Sequence, residues 1–248
     1  MANILQQILG ECQPSPTQIN LNVITSSTIL HKYGSDTPFT LTLEATLPDS
    51  TNTPNKPLTI LTFGTLLEPN GNALYENGID FINSNTGAQA KRPSLTAHYD
   101  FGDKSNIPID PQYEQYFATL EPGVPYRVTH TMKPCPRPPQ EGGSNTGADR
   151  TPLGEGEAME AEAMVLAAFS PVTPLDVGAT YRVELGDKLN WISWYRYGSK
   201  EEVLKIRSAE GLVQRMMGTK RHSERVGDNK MQAIPLVMQG SAGFRVED

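Results

Sequence analysis

The side chains that could carry chemistry in this chain are four histidines, two cysteines and one aromatic run. His31, His98, His130 and His222 stand at no metal-ligand spacing from one another, and no HExxH occurs. His222-Ser223-Glu224 is the nearest approach and lacks a second histidine, so neither a metal site nor a metallopeptidase is expected. His98 and Asp100 are two residues apart, which on a strand puts them on one face, where a carboxylate can orient an imidazole for proton transfer. The plain alternative is a solvated strand end. Cys12 and Cys135 lie in separate Pro-flanked segments that read as exposed, and a reduced pair is expected rather than a disulfide framework or a Cys/His nucleophile. No GxGxxG opens a helix, and neither a P-loop lysine motif nor a GxSxG elbow occurs, so no cofactor is expected.

The aromatic run is YRVELGDKLNWISWYRYGSKEEVL, residues 181–204. It holds both tryptophans and three of nine tyrosines in a chain only 7% aromatic. Strand alternation puts Trp191, Ser193, Tyr195 and Tyr197 on one face and Ile192, Trp194 and Arg196 on the other. Aromatics with a polar tip line ligand pockets and protein interfaces, and Arg196 or Lys200 would add a carboxylate or oxyanion contact. The candidate ligand-binding set is therefore Trp191, Trp194, Tyr195, Tyr197 and Lys200, together with Phe63. The candidate catalytic groups are His98, Asp100, Tyr195 and Arg196. The alternative is an aromatic core with Arg196 and Lys200 solvated at its rim. The run reads as a hairpin divided at Gly186-Asp187 and ending in a short helical tail.

The elements that must position these groups follow from periodicity. Residues 2–11 place Ile4, Leu5, Ile8 and Leu9 on one helical face, and Pro14 and Pro16 end that helix. Alternation predicts strands at 18–32, 38–47 and 58–67, separated by Pro/Asn/Ser turns, then strands at 79–83 and 94–99 and a turn feeding a strand over 120–132. Residues 102–112 read as a loop and 113–120 as a turn or short strand. The Pro/Gly-rich 133–157 reads as a long surface loop or disordered insertion, 162–169 as a strand, 208–230 as a charged loop, and 232–238 and 242–247 as closing strands. The expectation is a mainly β chain, one sandwich domain over 1–248 with one or two short helices.

One internal echo supports that architecture. Residues 120–128 read LEPGVPYRV and 175–183 read LDVGATYRV, so Leu, an acidic residue, Gly and Tyr-Arg-Val recur in register. The glycine permits a tight turn, and the tyrosine can fold back to bond the turn's backbone, as at the tyrosine corner of Greek-key sandwiches. A pair of ligand-binding Tyr-Arg sites is the functional alternative.

Composition narrows the partners. With 21 Gly and 20 Pro the chain favours turns over a helical bundle, and a net charge of −7 argues against nucleic acid or anionic membrane. No apolar run approaches a membrane span, and MANILQQILGECQPSP lacks a positive n-region and a cleavage site, so a soluble cytoplasmic protein is expected.

The segments FTLTLEATL, PLTILTFGTLLEPNGNALYENGIDFINSNTG and FATLEPGVPYRV resemble a group of fungal β-sandwich proteins, related to the sandwich domain that precedes deuterolysin-type metallopeptidases. YRVELGD and ISWYRYGSKEEVL are similar to the closing hairpin of the stand-alone, uncharacterised members. The resemblance spans about 38–132 and 175–206 and implies an immunoglobulin-like sandwich without established activity. This chain departs from the pattern at Phe63-Gly64-Thr65-Leu66-Leu67-Glu68, where those proteins carry a tryptophan and a Thr-Pro-Leu-Asp turn, and in its 133–157 insertion. Two functions are expected: a binding or interaction module, or a cofactor-free cyclase or isomerase of fungal secondary metabolism, such as a Diels–Alder-type pericyclase. Such an enzyme would hold one folded conformer of an apolar substrate. The expected partner is accordingly an apolar small molecule or a protein.

Overall fold

The computed structural model describes residues 16–34, 37–48, 55–69, 72–91, 106–136, 170–205, 224–228 and 231–248. The helix expected at 2–11, Cys12, the strand at 94–99 with His98 and Asp100, most of 133–157, the strand at 162–169 and His222 lie outside the described residues.

The chain is mainly β and sandwich-like. Twelve described strands run in order: β1 (Ile19–Thr25), β2 (Ile29–His31), β3 (Phe39–Thr46), β4 (Leu58–Leu61), β5 (Ile79–Asn83), β6 (Phe117–Leu120), β7 (Tyr126–Met132), β8 (Thr180–Leu185), β9 (Trp191–Ile192), β10 (Tyr195–Tyr197), β11 (Ile234–Met238) and β12 (Ala242–Glu247). They form a five-stranded sheet β7-β3-β1-β11-β9, a four-stranded sheet β2-β12-β8-β5 and a three-stranded sheet β10-β4-β6. Pairing is antiparallel except where β1 meets β11 and β2 meets β12.

Period-two alternation decides what each strand buries. Ile19, Leu21 and Val23 of β1, Phe39, Leu41, Leu43 and Ala45 of β3, and Ala242, Phe244 and Val246 of β12 all point inward. Phe244 is the centre of the main core: its ring lies 4.9 Å from Phe39 across the sandwich, 5.6 Å from Phe81 and 6.2 Å from Tyr181. Burying a phenylalanine of this kind contributes about 1.5–3 kcal/mol. β4 is buried at all four positions because it has a core on each side, with Leu58 and Ile60 in the main core and Leu61 in a second, smaller one.

Three segments differ from their expected form. The strand expected over 18–32 breaks at Ser26-Ser27-Thr28, where the Ser26 hydroxyl accepts from the Thr40 N–H (2.9 Å) and the Ser27 hydroxyl from the Ile29 N–H (3.0 Å). Serine side chains offer the backbone this alternative to a ladder. The strand expected over 58–67 ends at Leu61. Beyond it Gly64 takes a positive φ of 64°, and the Thr65 hydroxyl donates to the Thr62 carbonyl (2.6 Å) while accepting from the Leu67 N–H (3.1 Å), so the chain folds into a compact buried turn. The hairpin expected over 181–204 is absent among the described residues: β8, β9 and β10 belong to three different sheets. Gly186 packs so tightly that a Cβ there would lie 2.1 Å from the Asn77 carbonyl oxygen, and Leu189 takes a φ of 63°, which sends the chain across the sandwich.

The internal echo is structural. Glu121 and Asp176 each accept a bond from the residue three further on (Val124 N–H at 3.2 Å, Ala179 N–H at 3.2 Å), with Gly123 and Gly178 at φ of 73° and 85°. Both are turns with a left-handed glycine at the third position, the type II arrangement. The tyrosine corner forms only once. The Tyr181 hydroxyl accepts from the Asp176 N–H at 2.9 Å, five residues back, whereas Tyr126 makes no matching bond to Glu121 among the described residues.

Replacing Tyr181 by Phe removes the hydroxyl that accepts the Asp176 N–H and pins the turn, and is expected to cost about 1 kcal/mol. Tyr126→Phe is expected to change stability by less than about 0.5 kcal/mol. Denaturant unfolding of both variants checks the contrast, and equal losses would contradict a one-sided corner.

Candidate functional site

The aromatic run does not behave as one strand. The chain leaves the five-stranded sheet after Ile192 and joins the three-stranded sheet at Tyr195, where it pairs Tyr195, Arg196 and Tyr197 with Ile60, Thr59 and Leu58. The simple alternation over 191–197 therefore fails at Ser193-Trp194, and Trp194 and Tyr195 are both buried, in different cores. Trp194 is 0% exposed and meets Phe117 edge-on at 5.2 Å. Arg196 lies 5.8 Å over the Trp194 ring and its guanidinium donates to Glu224 at 3.3 Å. Phe63 packs in the same small core against Tyr116, with ring centroids 4.9 Å apart. Trp191, on edge strand β9, is 40% exposed on the opposite side from buried Ile192. Tyr197 is half-buried, and burial first, then the Tyr195 phenol, raises its pKa.

Lys200 lines a cleft among the described residues. It begins the helical stretch 200–205, and its backbone N–H donates to the Thr119 hydroxyl at 2.8 Å. The cleft has a volume of about 450 Å³ and runs along β6, residues 117–119, with Glu114, Glu121, Glu201 and Tyr126 around it. Asp110 starts the short 3-10 segment Pro111–Tyr116 by accepting the Gln112 N–H at 3.1 Å, and that segment delivers Glu114 to the rim. The type II turn after β6 delivers Glu121 and then Tyr126.

The cleft is acidic. Three carboxylates face one ammonium, and the Glu201 carboxyl is held below its usual range by its own backbone N–H, with Ser199 and the nearby Lys200 and Lys205 adding to this. Burial pushes the Tyr126 phenol up, so it stays a neutral donor and acceptor at the cleft wall. A second cavity of about 320 Å³ opens between Ser26, His31, Phe39 and Met132 at another edge of the sandwich. Among the described residues no group of three or more His, Cys, Asp or Glu gathers to hold a metal ion.

His130 carries the chemistry that spacing rules miss. It occupies an inward position of β7 between buried Val128 and Met132, an alternation visible in VTHTM. Its Nε2 lies 3.2 Å from the Leu66 carbonyl, which assigns the proton to that nitrogen, and buried Nδ1 has no partner among the described residues. Burial lowers its pKa, opposed by the Leu66 bond. Cys135, expected at the surface, is buried and free, with its sulfur 3.3 Å from the Thr173 hydroxyl, because its backbone N–H bonds the Lys32 carbonyl beside β2.

No protein-family profile, curated protein or solved structure matches this chain.

A histidine whose folded pKa lies below the ordinary 6.5 stays neutral when folded while the unfolded chain takes up a proton. Its contribution is thus intact above that value and lost as pH falls through it. Glu68 has the opposite sign: burial raises its carboxyl, so its penalty grows as pH rises above 4.5. Unfolding midpoints measured between about pH 7 and about pH 5 should fall more steeply for the wild type than for His130→Gln, which keeps the Leu66 bond and removes the titration. Parallel slopes would show that His130 is not buried neutral.

Proposed function

We propose that this protein is a binding or interaction module that recognises its partner at the cleft formed by β6, Tyr126 and the helical stretch 200–205. The observation that carries this reading is the burial of Trp194 at 0% exposure, with Tyr195 and Phe63 beside it in the two cores. Side chains that would have to wall a pocket for an apolar substrate are spent on packing, and a site of that kind needs an enclosed apolar chamber. The open feature next to the run is instead an acidic cleft lined by backbone, hydroxyl and carboxylate groups. The described residues gather no catalytic constellation, which leaves such a surface as the place for function. The cofactor-free cyclase or isomerase is the competing reading, and the same measurements separate the two.

The proposal extends to a soluble protein of a reducing compartment such as the cytoplasm, supported by buried, free Cys135 and by the lack, among the described residues, of a helix long and apolar enough to cross a membrane. It is also in keeping with the resemblance to stand-alone fungal sandwich proteins.

The protein is expected to retain peptides from a random display library, with at least about tenfold weaker retention by the double variant Glu121→Lys, Glu201→Lys. In a thermal-shift screen against terpenoid and polyketide extracts it is expected to give no shift. A shift of several degrees that disappears in Tyr197→Ala, with no peptide retained, would overturn the binding-module reading in favour of the enzyme.

A further inference from the structure

Among the described residues β6 is an edge strand, and its register fixes which of its backbone groups are open. Leu58, Thr59, Ile60 and Leu61 stand opposite Leu120, Thr119, Ala118 and Phe117, and the Thr62 N–H donates to the Tyr116 carbonyl at 2.9 Å. That bond makes Thr62 and Tyr116 a hydrogen-bonded pair, and in an antiparallel ladder such pairs recur at every second residue. Tyr116, Ala118 and Leu120 therefore bond inward to β4, while Phe117 and Thr119 turn their backbone groups outward. The Phe117 N–H is already given to the Glu114 carbonyl. The Thr119 N–H, the Thr119 carbonyl and the Phe117 carbonyl are left facing the cleft. The Phe117 and Ala118 side chains are buried, so β6 presents the cleft mostly with main chain.

An exposed row of strand donors and acceptors is a template for another strand. Protection by shortness is the ordinary use of a four-residue edge, but here the edge is the floor of a cleft of about 450 Å³ and carries three glutamates on its rim. The charge decides the occupant. A second copy of this chain would bring its own acidic cleft and a net charge of −7, and nucleic acid would be repelled. A segment with lysine or arginine side chains would place them between Glu114, Glu121 and Glu201. We propose that β6 accepts an extended, basic peptide segment of a partner protein as an added strand, with Thr119 as the central hydrogen-bonding residue and the carboxylates selecting the charge. This deepens the binding-module reading and rests on it.

A fluorescein-labelled peptide of about eight alternating Val and Lys residues, and its Val/Glu counterpart, serve as probes. Fluorescence anisotropy is expected to show binding of the Val/Lys peptide at least about tenfold tighter than the Val/Glu peptide, with the difference shrinking as salt is raised. Hydrogen exchange on the wild-type complex is expected to protect the Thr119 amide at least about tenfold. Thr119→Pro removes the outward N–H while sparing the β4 ladder, because Thr119 faces Thr59 at a non-bonded position, and should weaken Val/Lys peptide binding by anisotropy at least about tenfold. Peptide bound with the Thr119 amide unprotected overturns strand addition and leaves the binding-module reading standing. Equal binding of both peptides overturns the charge selection. No retention of any peptide, from these probes or from a random library, removes both.

Discussion

The constraint on which the structure depends is the side-by-side run of β1–β2 with β11–β12. Ile19–Leu21 pairs in parallel with Leu236–Met238, and Ile29–His31 with Arg245–Glu247. Both segments leave the five-stranded sheet and join the four-stranded one, crossing at the same level. Backbone bonds hold that crossing at each step: Gln239 N–H to Leu21 O, Arg245 N–H to Thr28 O and Lys32 N–H to Glu247 O, all at 2.8 Å. Gly240, at a φ of 119°, allows the second strand to turn where the first does. With this double crossing made, Phe244 faces Phe39, Phe81 and Tyr181, and the two inner faces have a common core. Strands so far apart in sequence bring a large loop-closure cost before their contacts form. The main core must offset it.

The second core depends on the buried turn after β4. Leu61 and Phe63 point into the small core while Leu66 and Leu67 point into the main one, so seven residues serve both. A turn in that position has to satisfy its own polar groups, since water does not reach it. It does so through Thr62 Oγ1 to Tyr116 O, Thr65 Oγ1 to Thr62 O, Gly64 N–H to Glu68 and Leu66 N–H to Leu189 O. His130 completes the set from β7 by reaching the Leu66 carbonyl. Because Thr62 also bonds Tyr116, this turn sets the register of β6 and with it the orientation of the cleft floor.

Strands with one wet face were legible: the alternation of INLNV, FTLTLEA and AGFRV gives β1, β3 and β12 nearly to their ends. The echo of LEPGVPYRV in LDVGATYRV foretold two like turns, and the second carries a true tyrosine corner. The aromatic run was legible as a candidate site, but not which of its side chains would be buried. Lys200 reaches a cleft, while Trp194, Tyr195 and Phe63 are absorbed by packing. Large polar-tipped aromatics are as good at filling a core as at lining a pocket, so composition does not tell the two uses apart. β6 was obscured because its edge function lies in backbone groups, which have no residue signature.

The sequence by itself determined the fold class, the inward faces of the long strands and the two glycine turns. Each of these is set by period-two alternation or by a φ that few residues adopt, and both are local properties. Only the tertiary structure decided that 181–197 would be shared among three sheets, that Trp194 would be enclosed, and that Thr119 would face outward. Gly186 against Asn77, and Thr62 against Tyr116, make those choices. They are contacts between distant segments, and no pattern within either segment contains them.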